Sequence, residues 1–110
     1  MSHVSTAELI DRLEAEDEHY LEVLEKESLS VELARYPNPE PETTHKTDEL
    51  YVVISGSGTA HVGNDEYAVE EGDVVYVERG VEHRFFGIDD ELISLVVFPS
   101  NEESVLGRDP

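Results

Sequence analysis

The chain has 110 residues, enough for one domain around a single buried core and too few for a second independent one. Its 27 acidic residues against 7 basic ones give a formal net charge of -20, which makes nucleic acid and anionic membranes poor partners. Cysteine is absent, so disulfides, thiolate ligands and thiol nucleophiles are excluded, and any metal must be held by nitrogen and oxygen.

The opening MSHVSTAELIDRLEAEDEHY lacks the basic start and apolar run of a secretory signal, and no stretch reaches membrane-spanning length. A cytoplasmic location is expected. Residues 5–28 carry Leu9, Ile10, Leu13, Tyr20, Leu21 and Leu24 at broadly helical spacing, with Ser5 or Thr6 as candidate cap and Glu8 and Asp11 near the favourable end of the dipole. The stripe thins at Glu16, Asp17 and Glu18, so one bent helix and two short ones both fit. Such a stripe is packing material for a core.

From Ser30 the pattern becomes β-like. SVELARY alternates as a strand, and PNPEPE, whose prolines lack N–H groups and fix φ, is a loop. Leu50–Ser55 reads as a strand, Gly56-Ser57-Gly58 as a tight connection, Thr59–Val62 as its return and Gly63-Asn64-Asp65 as a further turn. Short strands follow at Tyr67–Val69, Val74–Val77, His83–Phe86 and Leu92–Phe98. Closely spaced strands without intervening helices predict an antiparallel sandwich or small barrel. The expected organisation is a helical segment over 1–28, a barrel over 29–99 and a polar tail over 100–110.

Alternation places Glu49, Tyr51 and Val53 on one face of a strand. A carboxylate among apolar neighbours needs a cation, a proton or a hydrogen-bond donor. His45 lies four residues earlier, and His83 opens a later strand on the face of Phe85. Two imidazoles and a carboxylate converging in a barrel would suit Fe(II), Mn(II), Ni(II), Co(II) or Zn(II), although a lone strand-start histidine is also a common structural residue. Asp48 should face away from Glu49, His61 reads as half-exposed, and His3 and His19 as surface groups. Tyr36, Tyr51, Tyr76, Phe85, Phe86 and Phe98 are read as core or cavity wall, and Arg79 and Arg84 as rim cations.

Residues 37–87 resemble the two motifs of the cupin superfamily. His45, Glu49 and Gly56 match the second histidine, the glutamate and the closing glycine of G-x5-H-x-H-x3-4-E-x6-G. Gly72, Gly80 and His83 match G-x5-P-x-G-x2-H-x3-N. Thr43 stands at the first histidine, Pro37 at the leading glycine, Glu78 at the proline and Gly87 at the asparagine. The resemblance implies an all-β, antiparallel double-stranded β-helix (a jelly-roll-like barrel), a homodimer, and a divalent metal on His45, Glu49 and His83 beside a cavity for a small organic molecule. It also implies, should the protein be an enzyme, an oxygenase or isomerase. A metal-free ligand-binding or sensor barrel, using the same three residues as hydrogen-bonding groups, and a purely structural barrel remain alternatives. The acids are spread along the whole chain, a composition that resembles proteins of salt-loving organisms, whose repulsion concentrated salt screens.

Overall fold

The computed structural model describes residues 3–38 and 40–100. Ser5 opens helix α1 (Thr6–Ala15) by accepting the Glu8 N–H at 3.4 Å, with the Glu8 carboxylate in the first turn. The helix ends where Asp17 turns left-handed, at φ 52. There the Asp17 N–H bonds to Glu14 O at 3.2 Å and the Glu18 N–H to Leu13 O at 3.3 Å, the paired closing bonds of a Schellman end. The expected helical segment therefore stops at residue 15. Tyr20–Glu25 forms strand β1 instead, with Leu21 and Val23 alternating toward the helix. The spacing of Leu21 and Leu24 suits a helix and places them on opposite faces of the strand, and pairing with β2 (Leu29–Arg35) decides in favour of the strand.

Four more strands complete the sheet: β3 (Glu49–Val62), β4 (Asp65–Glu70), β5 (Val74–Val77) and β6 (His83–Pro99). All pairings are antiparallel, in the order β1-β2-β6-β3-β4, with β5 added to β3. The long β3 and β6 run against each other from Leu50↔Val97 to Val62↔His83. The first half of β3 also pairs with β5 and the second with β4, so one continuous strand serves two sheets of a barrel. Gly56-Ser57-Gly58, expected as a tight connection, lies inside β3, where the register to β6 shifts. Gly56 has φ +88, and a Cβ there would stand 1.8 Å from Glu91 O, so the backbones approach at a bend that only glycine permits.

The barrel interior is filled at one end by Tyr36, Val53, Ala60, Phe85, Leu92 and Phe98, among others. A second cluster, Leu9, Leu13, Leu21, Leu33 and Ile93, lies on the opposite side of the sheet under α1. Each such buried Leu or Ile stabilises by roughly 1.5–3 kcal/mol, which is what holds so acidic a helix in place. Residues 40–48 close the barrel mouth by backbone bonds in place of a strand. Thr43 and His83 exchange N–H···O bonds of 3.0 and 2.9 Å, and the Glu40 N–H bonds to Phe85 O at 3.1 Å. Apart from Ser100, the tail lies outside the described residues. Among the described residues no helix is long and apolar enough to cross a membrane.

Candidate functional site

Two loops meet at the barrel mouth, one leading into β3 and one into β6. The Gly80 N–H bonds to His45 O at 2.8 Å, and the Asp48 carboxylate accepts the Arg79 N–H at 2.9 Å. Asp48 thus points away from Glu49, as alternation requires, and ties the loops together. This brings His45 beside Glu49, the first residue of β3, and His83, the first residue of β6. One ligand atom from each lies within 4.8 Å of the others. His45 Nε2 is 3.7 Å from Glu49 Oε1, and the two imidazole centroids are 5.2 Å apart. Glu49 and His83 are 2% and 3% exposed.

Hydrogen bonding sets the state of each group. The Val81 carbonyl, 2.9 Å from His83 Nδ1, assigns the proton to Nδ1 and leaves the Nε2 lone pair facing the site. Burial pushes the His83 pKa down, against smaller opposing effects of the Val81 bond and Glu42, so the ring is neutral. Tyr51, two residues after Glu49 on the same face, donates its hydroxyl proton to Glu49 Oε1 at 2.6 Å. Burial, reinforced by Tyr36 and Glu40, pushes the Tyr51 pKa well above the usual phenol value and keeps that proton in place. Tyr51 Oη is also 3.0 Å from His83 Nε2. One hydroxyl proton cannot serve both neighbours. With it on Glu49, the His83 and Tyr51 lone pairs face each other beside a buried carboxylate, an electron-rich arrangement that a cation would relieve. Neutral imidazole nitrogen and carboxylate oxygen are the donors that divalent transition metals take, so the residues fit such an ion.

Tyr51, which the sequence places in the wall, stands inside the site; its parity with Glu49 is the signal that marks it. Tyr36, Phe85 and Phe98 are core, whereas Tyr76, at 57% exposed, is not. Phe86 is half-buried under the Arg84 guanidinium, 4.9 Å from its ring centre. His61 lies outside the cluster: its Nδ1 is 2.6 Å from Glu42 Oε1, which Arg84 Nε also approaches at 3.6 Å. His3 and His19 are exposed. Thr43, at the position of the motif's first histidine, contributes the backbone clasp on His83.

A cavity of about 910 Å³ opens beside the cluster and shares His45 and Tyr51 with it. Its walls come from one side of β1, β2 and β6, from Pro37 and from residues 40–43, within the size range of small-molecule sites. Glu40 lies in this wall. Its carboxylate accepts the Phe85 N–H at 3.0 Å, and burial, with a smaller push from Glu42, raises its pKa to about 7 despite that bond.

The double-stranded barrel and the mouth cluster define a cupin, and the chain belongs to the cupin domain family, which matches residues 32–99. An uncharacterised protein of Streptomyces coelicolor is 38% identical over 99 residues, covering 84% of this chain and 94% of that one. Among solved structures, a cupin-2 domain protein of Shewanella frigidimarina superposes with TM-score 0.68 at 18% identity, over 83% of this chain and 91% of that chain. The DMSP lyase DddQ of Ruegeria pomeroyi superposes with TM-score 0.64 at 22% identity, over 71% of this chain and 41% of that chain. At these identities the two structures speak for the fold.

Proposed function

We propose that this chain is a metal-binding small cupin in which His45, Glu49 and His83 hold one divalent ion, Fe, Mn, Ni, Co or Zn, and the adjoining cavity receives a small organic molecule. The observation that carries this reading is the convergence of three donors within 4.8 Å, one of them a neutral imidazole whose Nε2 is left unprotonated by the Val81 bond. Such an ion supplies Lewis-acid chemistry, with coordination positions open to water or a ligand. The chain's own residues do the rest. Tyr51 fixes the Glu49 carboxylate, Val81 fixes the His83 ring, and the apolar wall around Val96 and Phe98 limits water beside them. A lyase among proteins of this fold favours an enzyme acting on a small substrate. The exposed Leu50, Val74 and Tyr76, on paired positions of β3 and β5, favour a homodimer joined through that outer face.

Elemental analysis of tag-free protein, before and after chelation, tests the metal. Near-stoichiometric metal is expected in the wild type. Glu49→Gln and His83→Ala should each lose most of it while staying folded, and His61→Ala should keep it; equal content in all three variants overturns the assignment. The Tyr51 hydroxyl between Glu49 and His83, with Thr43 at the first-histidine position, favours a second reading, a metal-free ligand-binding barrel. That reading prevails if no metal is found and none is taken up.

A further inference from the structure

The cavity side of β1 and β2 carries carboxylates where a ligand cavity would ordinarily be neutral, Glu32 half-buried and Glu22 exposed at the rim. Glu22 and Glu32 are directly opposed across the two strands, and both line the cavity. Like charges in that register destabilise the pair. Glu40 adds a third carboxylate from the mouth loop, half-buried and with its pKa raised to about 7 by that burial. Among the described residues that line the cavity there is no lysine or arginine. General acidity of the chain does not account for Glu32 and Glu40, which are half-buried, because a carboxylate that serves solubility is better hydrated on the outside, as Glu22 is at the cavity rim.

A second observation points independently to a ligand. Ser30, on the same face of β2, is 4% exposed and lines the cavity, yet among the described residues its hydroxyl has no hydrogen-bond partner. A buried hydroxyl left unpaired costs about 1–3 kcal/mol, so a polar group supplied from the cavity would relieve it. Tyr36 and Phe98 form the adjoining aromatic wall, the kind of surface over which an organic cation is held.

We infer that the cavity selects a small organic ammonium ion, a molecule with a protonated amine directed at Ser30 and the Glu22, Glu32 and Glu40 carboxylates and an apolar body against Tyr36 and Phe98. The inference rests on the reading that the cavity takes a small organic molecule, and it adds the sign of that molecule's charge. Its other end would face His45 and Tyr51, so the ammonium group is the handle and the remainder of the molecule is what the mouth cluster meets.

Calorimetric titration with three probes of one skeleton, 2-phenylethylamine, 2-phenylethanol and phenylacetate, at neutral pH and fixed ionic strength, tests it. The amine should bind about tenfold or more tighter than the alcohol, the factor expected from one retained charge pair. Glu32→Gln and Ser30→Ala, each verified as folded by thermal melting, should reduce amine binding several-fold, and Glu32→Gln should leave alcohol binding unchanged. Glu66→Gln, an exposed carboxylate of β4 away from the cavity, should change neither. If Glu66→Gln weakens the amine as much as Glu32→Gln does, the attraction is diffuse and the inference fails. Alcohol or phenylacetate binding as tightly as the amine overturns the charge selectivity while leaving the cavity a ligand site. Absence of binding by all three probes at millimolar concentration overturns both.

Discussion

Tyr51 is the residue on which the state of the site turns. Its hydroxyl is the donor at 2.6 Å to a carboxylate that is almost wholly buried. Tyr51→Phe removes the donor and little volume, so the barrel should remain folded while Glu49 loses its orientation. Groups that orient a metal ligand are typically worth about 10–100-fold in metal affinity, and a competition titration against a chelator should read a loss in that range. Unchanged affinity would mean that Tyr51 is wall alone. Glu40 gives a second prediction at this scale. Burial raises its pKa from 4.5 to about 7, so between those values the folded chain holds a proton that the unfolded chain has released. Its contribution is complete below pH 4.5 and is lost as pH rises through 7. Glu40→Gln, neutral throughout and still able to accept the Phe85 N–H, should melt higher than wild type at about pH 8, and the gap should close toward about pH 5. A gap independent of pH would place the titration elsewhere.

At the scale of the element, the bend in β3 is the most sensitive point. Gly56→Ala sets a methyl against Glu91 O in a backbone conformation that L residues avoid, and should cost more than the ~1–3 kcal/mol of the conformation alone. Gly72, at φ +96 with nothing within 4 Å of where a Cβ would stand, should lose only that smaller amount as Ala. Urea melts of the two variants check the order, and equal losses would remove the close approach as the cause. The same bend shows what local sequence conveys. The glycines announce a departure from regular strand, but whether the chain turns back or bends onward depends on β6, which lies far along the chain. The strands from Glu49 to Phe98 are legible because their apolar residues alternate, and His45, Glu49 and His83 because their spacing matches two family motifs. Strand β1 is not legible as a strand, since Leu21 and Leu24 continue the helical period, and only the left-handed Asp17 and the ladder to β2 overrule it. The cavity carboxylates Glu22 and Glu32 are hidden for the same reason: without β1 in register they do not stand opposite each other.

For the whole molecule, charge and shape act together. A net charge of -20 on a chain with a radius of gyration of 13.3 Å repels itself, and raising the salt from about 0.1 M to about 1 M shortens the screening length from ~10 Å to ~3 Å. The melting temperature should rise over that range in KCl, and a flat response would separate the acidic composition from any need for salt. Light scattering coupled to size exclusion tests the dimer under the same conditions. Leu50→Glu and Tyr76→Glu should yield monomer, whereas a monomeric wild type would leave the outer face without a partner.

The clasp between Thr43 and His83 also bears on the order in which the chain organises itself. The histidines stand on segments far apart in sequence, and they meet only after β3 has found β6 and the mouth loop has closed over both. Non-local pairings of this kind form late and slowly. A metal ion added to the refolding chain would find no partial nest to gather, and would instead fasten a barrel already built. It should leave the refolding rate nearly unchanged and slow unfolding, acting as a latch on the finished molecule.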